Sequence, residues 1–162
     1  MNIRRSHPLR TLCAALATAL ASTVSMAATV PLRATIQFNE QAVPMGAPCY
    51  LTGTISGSST ASTLGPIQLA SQDCINPLST TAFLFVSDHV VLTLDSGEQI
   101  FAAYGGTLSG TTGAIQGSYF IFGGTGRFRN ASGLGRISGV ENVNFTTGMG
   151  VGKIDLNGTV SY

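Results

Sequence analysis

The chain has no tryptophan, and only 9% of its 162 residues are charged. It has two histidines, His7 and His89, and three widely spaced cysteines, Cys13, Cys49 and Cys74. That is a poor zinc set, because a closed site needs four ligands at short spacing. There is no Gly-x-Ser-x-Gly, no P-loop and no histidine cluster. Gly123-Gly124-Thr125-Gly126 is not a dinucleotide fingerprint, since its spacing is wrong and no helical pattern follows. No metal, nucleotide or other cofactor is implied. The few Arg and Lys are scattered, so nothing forms the basic patch of a nucleic-acid binder. No segment keeps a sustained helical period, and no internal repeat is found. No apolar run reaches the roughly 20 residues that a membrane-spanning helix needs.

What is present first is a leader. Arg4, Arg5 and Arg10 precede an apolar stretch, Leu12 to Ala21, and Ser25-Met26-Ala27 places small residues at the positions a signal peptidase reads. Residues 1–27 are therefore expected to be a removed signal peptide, and 28–162 a single domain that is secreted or periplasmic. Cys13 leaves with the leader. In an oxidising compartment the remaining pair, Cys49 and Cys74, is most simply one disulfide. Closing that loop is worth roughly 3 kcal/mol. Beyond residue 27, Arg33, Arg127, Arg129, Arg136 and Lys153 stand against Glu40, Asp73, Asp88, Asp95, Glu98, Glu141 and Asp155, a net charge near −2.

The remaining chain alternates apolar and polar residues, the mark of half-buried strands. Thr29 to Phe38 places Val30, Leu32, Ala34, Ile36 and Phe38 on one face. Gln41 to Pro48 reads as a loop with two prolines, and Cys49 to Ser56 as a second strand. Gly57 to Thr63 is a Ser/Thr-rich turn or loop. Gly65 to Cys74 alternates again, and Ile75 to Thr81 is a loop around Pro77. Phe83 to Val86 and Val90 to Leu94 are either two short strands or one strand with a bulge at Ser87-Asp88-His89. Asp95-Ser96-Gly97 signals a hairpin. Strands follow over Glu98–Leu108, Ala114–Phe122, Leu134–Val140 and Met149–Tyr162, with Glu141–Gly148 a loop. Seven to nine strands with regular turns predict an all-β sandwich or barrel. Sixteen of the twenty glycines lie from Gly97 onward, many within strands, which favours a sheet that curls and closes.

The chain turns on one stretch. An apolar run enters Gly123-Gly124-Thr125-Gly126, passes Phe128, and leaves on a Gly-spaced segment. Three Gly in four residues suit a tight corner, with Phe128 folding back as a plug. Residues 123–133, Gly-Gly-Thr-Gly-Arg-Phe-Arg-Asn-Ala-Ser-Gly, resemble the Gly-Gly-Thr-Gly-x-Phe-x-x-Ala-x-Gly signature of dirigent proteins, found more loosely in allene oxide cyclases. The resemblance implies a single antiparallel, roughly eight-stranded barrel with an apolar cavity, and Gly123, Gly124, Gly126, Phe128 and Gly133 as its structural corner. Dirigent proteins steer the coupling of phenoxy radicals, and allene oxide cyclases close an unstable epoxide. Ser132 stands where many dirigent proteins have Arg, and no acid of this chain aligns with their cavity carboxylates.

Candidate chemistry is sparse. Asp88-His89 is the only acid–imidazole neighbour pair, the types a general base needs, but neighbours on a regular strand face opposite ways, which favours a solvated turn. Glu98 follows the hairpin as a surface charge or an acid. Arg127 and Arg129 flank Phe128 as exposed turn charges or as an anion clamp. Tyr50, Tyr104, Tyr119 and Phe128 are candidates to line a cavity, against a routine amphipathic core role. Asn130, Asn144 and Asn157 open Asn-x-Ser/Thr triplets, as expected by chance in so Ser- and Thr-rich a chain. Both faces of Tyr119–Phe122 are apolar, so the outer one should lie under a loop or a second copy of the chain. Three readings stand: a barrel holding a small hydrophobic or aromatic molecule, which the resemblance favours; a cyclase or isomerase on that barrel; and a structural surface or pilin-like subunit.

Overall fold

The computed structural model describes residues 28–162, so the expected leader and Cys13 lie outside the described residues. Eight strands follow one another: β1 (Thr29–Gly46), β2 (Cys49–Ser62), β3 (Ile67–Pro77), β4 (Ala82–Leu94), β5 (Gln99–Ser109), β6 (Ala114–Gly124), β7 (Ser132–Asn144) and β8 (Met149–Ser161). Each pairs antiparallel with its neighbours in sequence, and β1 closes on β8 into a barrel. Closure leaves no exposed sheet edge around the wall. The expected all-β barrel and the Cys49–Cys74 disulfide are both present; the two Cα atoms are 5.1 Å apart, and the bond ties the start of β2 to β3.

Several strands run past their expected ends. β1 continues to Gly46 through the segment expected to be a loop. Its two prolines lie where the strand has one neighbour only: Pro31 faces β8 before pairing with β2 begins, and Pro44 faces β2 after pairing with β8 has ended at Gln41. A missing N–H costs no ladder bond on an open side. β2 likewise extends to Ser62, β3 to Pro77 and β7 to Asn144. Ladder hydrogen bonds hold these ends, and they need no apolar face. Residues 83–94 form one strand with a bulge: Ser87 pairs with Tyr104 and Val90 with Ala102, so two residues of β4 oppose one of β5.

One end of the barrel is sealed by the Gly-rich corner, where residues 126–128 make a single 3-10 turn. Phe128 is fully buried, with its ring 4.5 Å from that of Tyr162. Of the corner glycines only Gly126 takes positive φ, at 57°. Gly124 serves close approach instead, because a Cβ there would meet the Gln99 carbonyl and the Phe128 side chain. Thr125 pins the corner to β5: its N–H donates to Gln99 O at 2.9 Å, and its hydroxyl accepts from Gln99 N at 2.8 Å. Leu32, Ile67, Ile100 and Val160 belong to the same buried core.

The outer face of β6 excludes one of its two expected covers, the loop. Phe120 and Phe122 stay exposed, with rings 6.0 Å apart, and Leu134 stands across the ladder from Phe120. They are not under a loop among the described residues. The sealed end yields a test. Phe128→Ala removes a whole ring from a site with no exposure and should lower stability by roughly 3–5 kcal/mol. Urea unfolding should show a lower midpoint at unchanged slope. A midpoint equal to that of the parent chain would remove Phe128 from the role of plug.

Candidate functional site

The end opposite the corner is built differently. In β1 the inner-face positions run Leu32, Ala34, Ile36, Phe38 and then Glu40, all buried. The inner face of β3 runs Ile67, Leu69, Ser71 and then Asp73. On β7, Ile137 and Gly139 lead to Glu141. Side chains alternate at period two, so each strand carries its acid inward at this end. Glu40, Asp73 and Glu141 are 8%, 5% and 7% exposed. Among the described residues, Arg33, Arg127, Arg129, Arg136 and Lys153 are all exposed. The buried acids therefore have no cationic side chain inside the barrel.

Two cavities meet at these acids. The inner one, about 70 Å³, lies among Phe38, Phe85, Tyr104, Tyr119 and aliphatic side chains. The outer one, about 270 Å³, opens at the mouth between Val43, Pro44, Leu51, Val143 and Phe145. Glu40, Glu141, Ile75, Phe83 and Leu108 line both and form the neck between them.

Asp73 is well satisfied. Tyr104 donates its phenol proton to Asp73 Oδ1, and the Ser71 hydroxyl lies 3.3 Å from the same oxygen. The β4 bulge adds Ser87, whose Oγ sits 3.0 Å from Ser71 Oγ and donates to Gln72 O at 2.8 Å. Because Asp88 and His89 both take the outside of the bulge, Ser87 and Val90 both point inward, a re-aiming that bulges commonly supply. Glu40 and Glu141 are not satisfied: Oε1 of each is buried without a hydrogen-bond partner, as is the Tyr119 hydroxyl.

Burial in an apolar interior disfavours the charged form of an acid. It pushes Asp73 up to about 7; the Glu40 charge adds to this, and the Tyr104 and Ser71 hydrogen bonds oppose it. Burial, then the shared hydrogen bond with Glu141 and that residue's charge, pushes Glu40 up to about 8. Glu141 is raised too, chiefly by burial. Burial lifts the Tyr119 phenol to about 12, and burial with the Asp73 charge lifts Tyr104 further. Near neutral pH such acids can give and take back a proton.

The residues singled out from sequence fall into separate places. Tyr104 and Tyr119 line the inner cavity, whereas Tyr50 is 61% exposed and Phe128 belongs to the sealed end. Asp88 and His89 touch each other on the outer wall, both highly exposed. Glu98 and Arg127 are joined at the corner: Glu98 Oε1 accepts from Arg127 N at 2.9 Å, and Oε2 lies 3.4 Å from Arg127 Nε. That backbone hydrogen bond holds the Glu98 carboxyl below its ordinary range. The Arg127 guanidinium lies 4.8 Å from the Phe128 ring centroid. This pair fastens the corner at the end away from the carboxyls. Among the described residues, no three His, Cys, Asp or Glu converge as a metal-holding group. Sequence reasoning missed Glu40, Asp73 and Glu141, although each lies in phase with the apolar positions of its strand.

The buried acids set a pH dependence of stability. Each binds its proton more tightly in the barrel than in the unfolded chain, where carboxyls titrate near pH 4. The folded state then holds more protons, so stability falls as pH rises. The contribution is complete below about pH 4 and is lost as pH climbs through about 7 for Asp73 and about 8 for Glu40. At about 1.4 kcal/mol per unit, the barrel should melt roughly 20 °C lower at pH 9 than at pH 5, and Glu40→Gln should flatten that slope. Thermal scans monitored by circular dichroism decide it; a Tm that is level or rising over this range rules the buried acids out as its source. No protein-family model, curated protein or solved structure matches the chain.

Proposed function

We propose that the protein is an exported small-molecule-binding barrel of the dirigent and allene oxide cyclase type, taking a hydrophobic or aromatic ligand through its open end. The carrying observation is the neck, where the buried carboxyls of Glu40 and Glu141, with no cationic side chain near them, stand between an apolar mouth and an apolar interior. A buried polar atom without a partner costs free energy that a bound ligand can recover. The leader, the disulfide and the Gly-rich corner support the same reading.

The volumes say how the ligand sits. About 70 Å³ holds only a small group, whereas about 270 Å³ approaches the size of ordinary ligand pockets. The body of the ligand occupies the mouth, and one end reaches the neck. The apolar outer strip of Phe120, Phe122 and Leu134 suits contact with a second copy of the chain.

A cyclase or isomerase is the second reading, favoured by one observation: Asp73 and Glu40 hold protons that can be exchanged near neutral pH, and confinement with a proton donor suits ring closure. A subunit that captures a partner's strand gains no support, because β1 already closes on β8 and leaves no place for a donated strand.

The ligand reading is tested with N-phenyl-1-naphthylamine, a neutral aromatic probe that fluoresces in apolar sites. The expected result is saturable binding at one site per barrel, weakened at least tenfold by Val143→Trp, which fills the mouth. A folded barrel that leaves the probe dark, or that binds it equally well with the mouth filled, refutes the reading.

A further inference from the structure

We infer that the ligand carries a cationic amine, seated between Glu40 and Glu141 at the neck with its apolar body along the mouth. This rests on the ligand-binding reading and names the chemical class.

The two carboxyls occupy space made for them. A Cβ at Gly53 on β2 would fall on Glu40 Oε1, and one at Gly150 on β8 would fall on Glu141 Oε1. Glycine at these two wall positions lets both side chains lie flat against the barrel while more than nine-tenths buried. What they lack is a donor. Ile75, Phe83 and Leu108, which complete the neck, have none on their side chains. At the rim, Gln41 spends its amide on the carbonyls of Ala42 and Thr147, both at 3.1 Å.

The chemistry of the missing partner follows. An ammonium is a compact positive charge with three donors, which can meet the two carboxyls while its apolar arm runs out along the mouth. An alcohol or phenol offers one donor and no charge. A carboxylate or phosphate is repelled. A metal ion needs converging ligands, and no such group is present among the described residues. Phe83 and Phe145, with ring centroids 5.8 Å apart, wall the mouth for a hydrocarbon or aromatic body.

The remaining groups around the neck do not compete. Asp73 on β3, Tyr104 on β5 and Tyr119 on β6 are acidic or neutral, and β2 and β8 present glycine. Asp88 and His89 of β4 lie on the outer wall. Without ligand, burial and the neighbouring Glu141 carboxyl keep a proton on Glu40. An ammonium favours both carboxylates, so binding releases proton and tightens as pH rises.

Isothermal titration of the chain from Ala28 to Tyr162 with n-octylammonium, n-octanol and n-octanoate, at pH 6 and pH 8, tests this. Octylammonium should bind at least tenfold tighter than octanol, with octanoate weakest. Its affinity should increase severalfold from pH 6 to pH 8, with net proton release seen across buffers of different ionisation enthalpy. Glu40→Gln and Glu141→Gln should each close most of the octylammonium–octanol gap, with probe fluorescence confirming an intact mouth. Octanol binding as tightly as octylammonium overturns the cationic head and leaves the ligand-binding barrel standing. So does failure of all three ligands in a barrel that still binds the naphthylamine. Displacement of octylammonium by micromolar calcium assigns the neck to a metal and overturns it as well. Loss of naphthylamine binding too would end both readings.

Discussion

Closure of β1 onto β8 is the constraint on which the rest of the molecule depends. In an open sheet, a strand can fray or shift so that an awkward residue reaches water. In a closed barrel, register is locked on both sides of every strand, and a one-residue slip would turn each inner face out. Whatever lies in phase with the apolar positions goes inside, including Glu40, Asp73 and Glu141. The acids are buried because they share register with Phe38, Leu69 and Ile137, each of which must be buried.

The two ends then divide the work. At the corner end, the Thr125–Gln99 bonds, the Glu98–Arg127 pair and the Phe128–Tyr162 contact close the barrel with polar groups outside and aromatic carbon inside. No unpartnered buried side-chain atom among the described residues belongs to that set. At the other end the disulfide braces β2 against β3, and the space within reach of it holds carboxyls and a mouth. Along β7 and β8, glycine makes room for inward-facing rings. The Tyr119 hydroxyl lies where Cβ atoms at Gly135 and Gly158 would be, and the Phe38 ring lies where one at Gly152 would be. Large rings thus lie over bare backbone on the neighbouring strands of the same wall.

Much of this was legible in the sequence, and what was not has a physical reason. Alternation in Thr29–Phe38 and Gly65–Cys74 identifies strands because one face must be apolar. Asp95-Ser96-Gly97 identifies its hairpin, and Gly97 does take positive φ, at 80°. Gln41–Gly46 and Gly57–Ser62 escape such reading because backbone ladders hold them with little apolar burial. Asp88-His89 drew notice as adjacent acid and imidazole, yet their bulge turns both outward. Glu40, Asp73 and Glu141 were overlooked because a charge reads as surface by default. The signal was phase: each lies an even number of residues from buried apolar neighbours, and Tyr104, recognised as a cavity candidate, is the partner that Asp73 needs.

The three acids are not equivalent, and the difference separates structure from function. Asp73 accepts from Tyr104 and Ser71, so it links β3 to β5 and has a reason to be buried in the barrel alone. Leucine at 40 and 141 would be buried at this depth without desolvating a charge, whereas the carboxyls leave Oε1 atoms orphaned and press on each other. A buried acid without a partner destabilises the fold. Among the described residues no cationic side chain lies inside the barrel, and no hydrogen bond reaches either orphan oxygen. A ligand entering by the mouth, as proposed, would offset that destabilisation, since Glu40 and Glu141 both line it. That asymmetry, satisfied Asp73 beside Glu40 and Glu141 with orphaned Oε1 atoms, sets the neck apart from the rest of the interior.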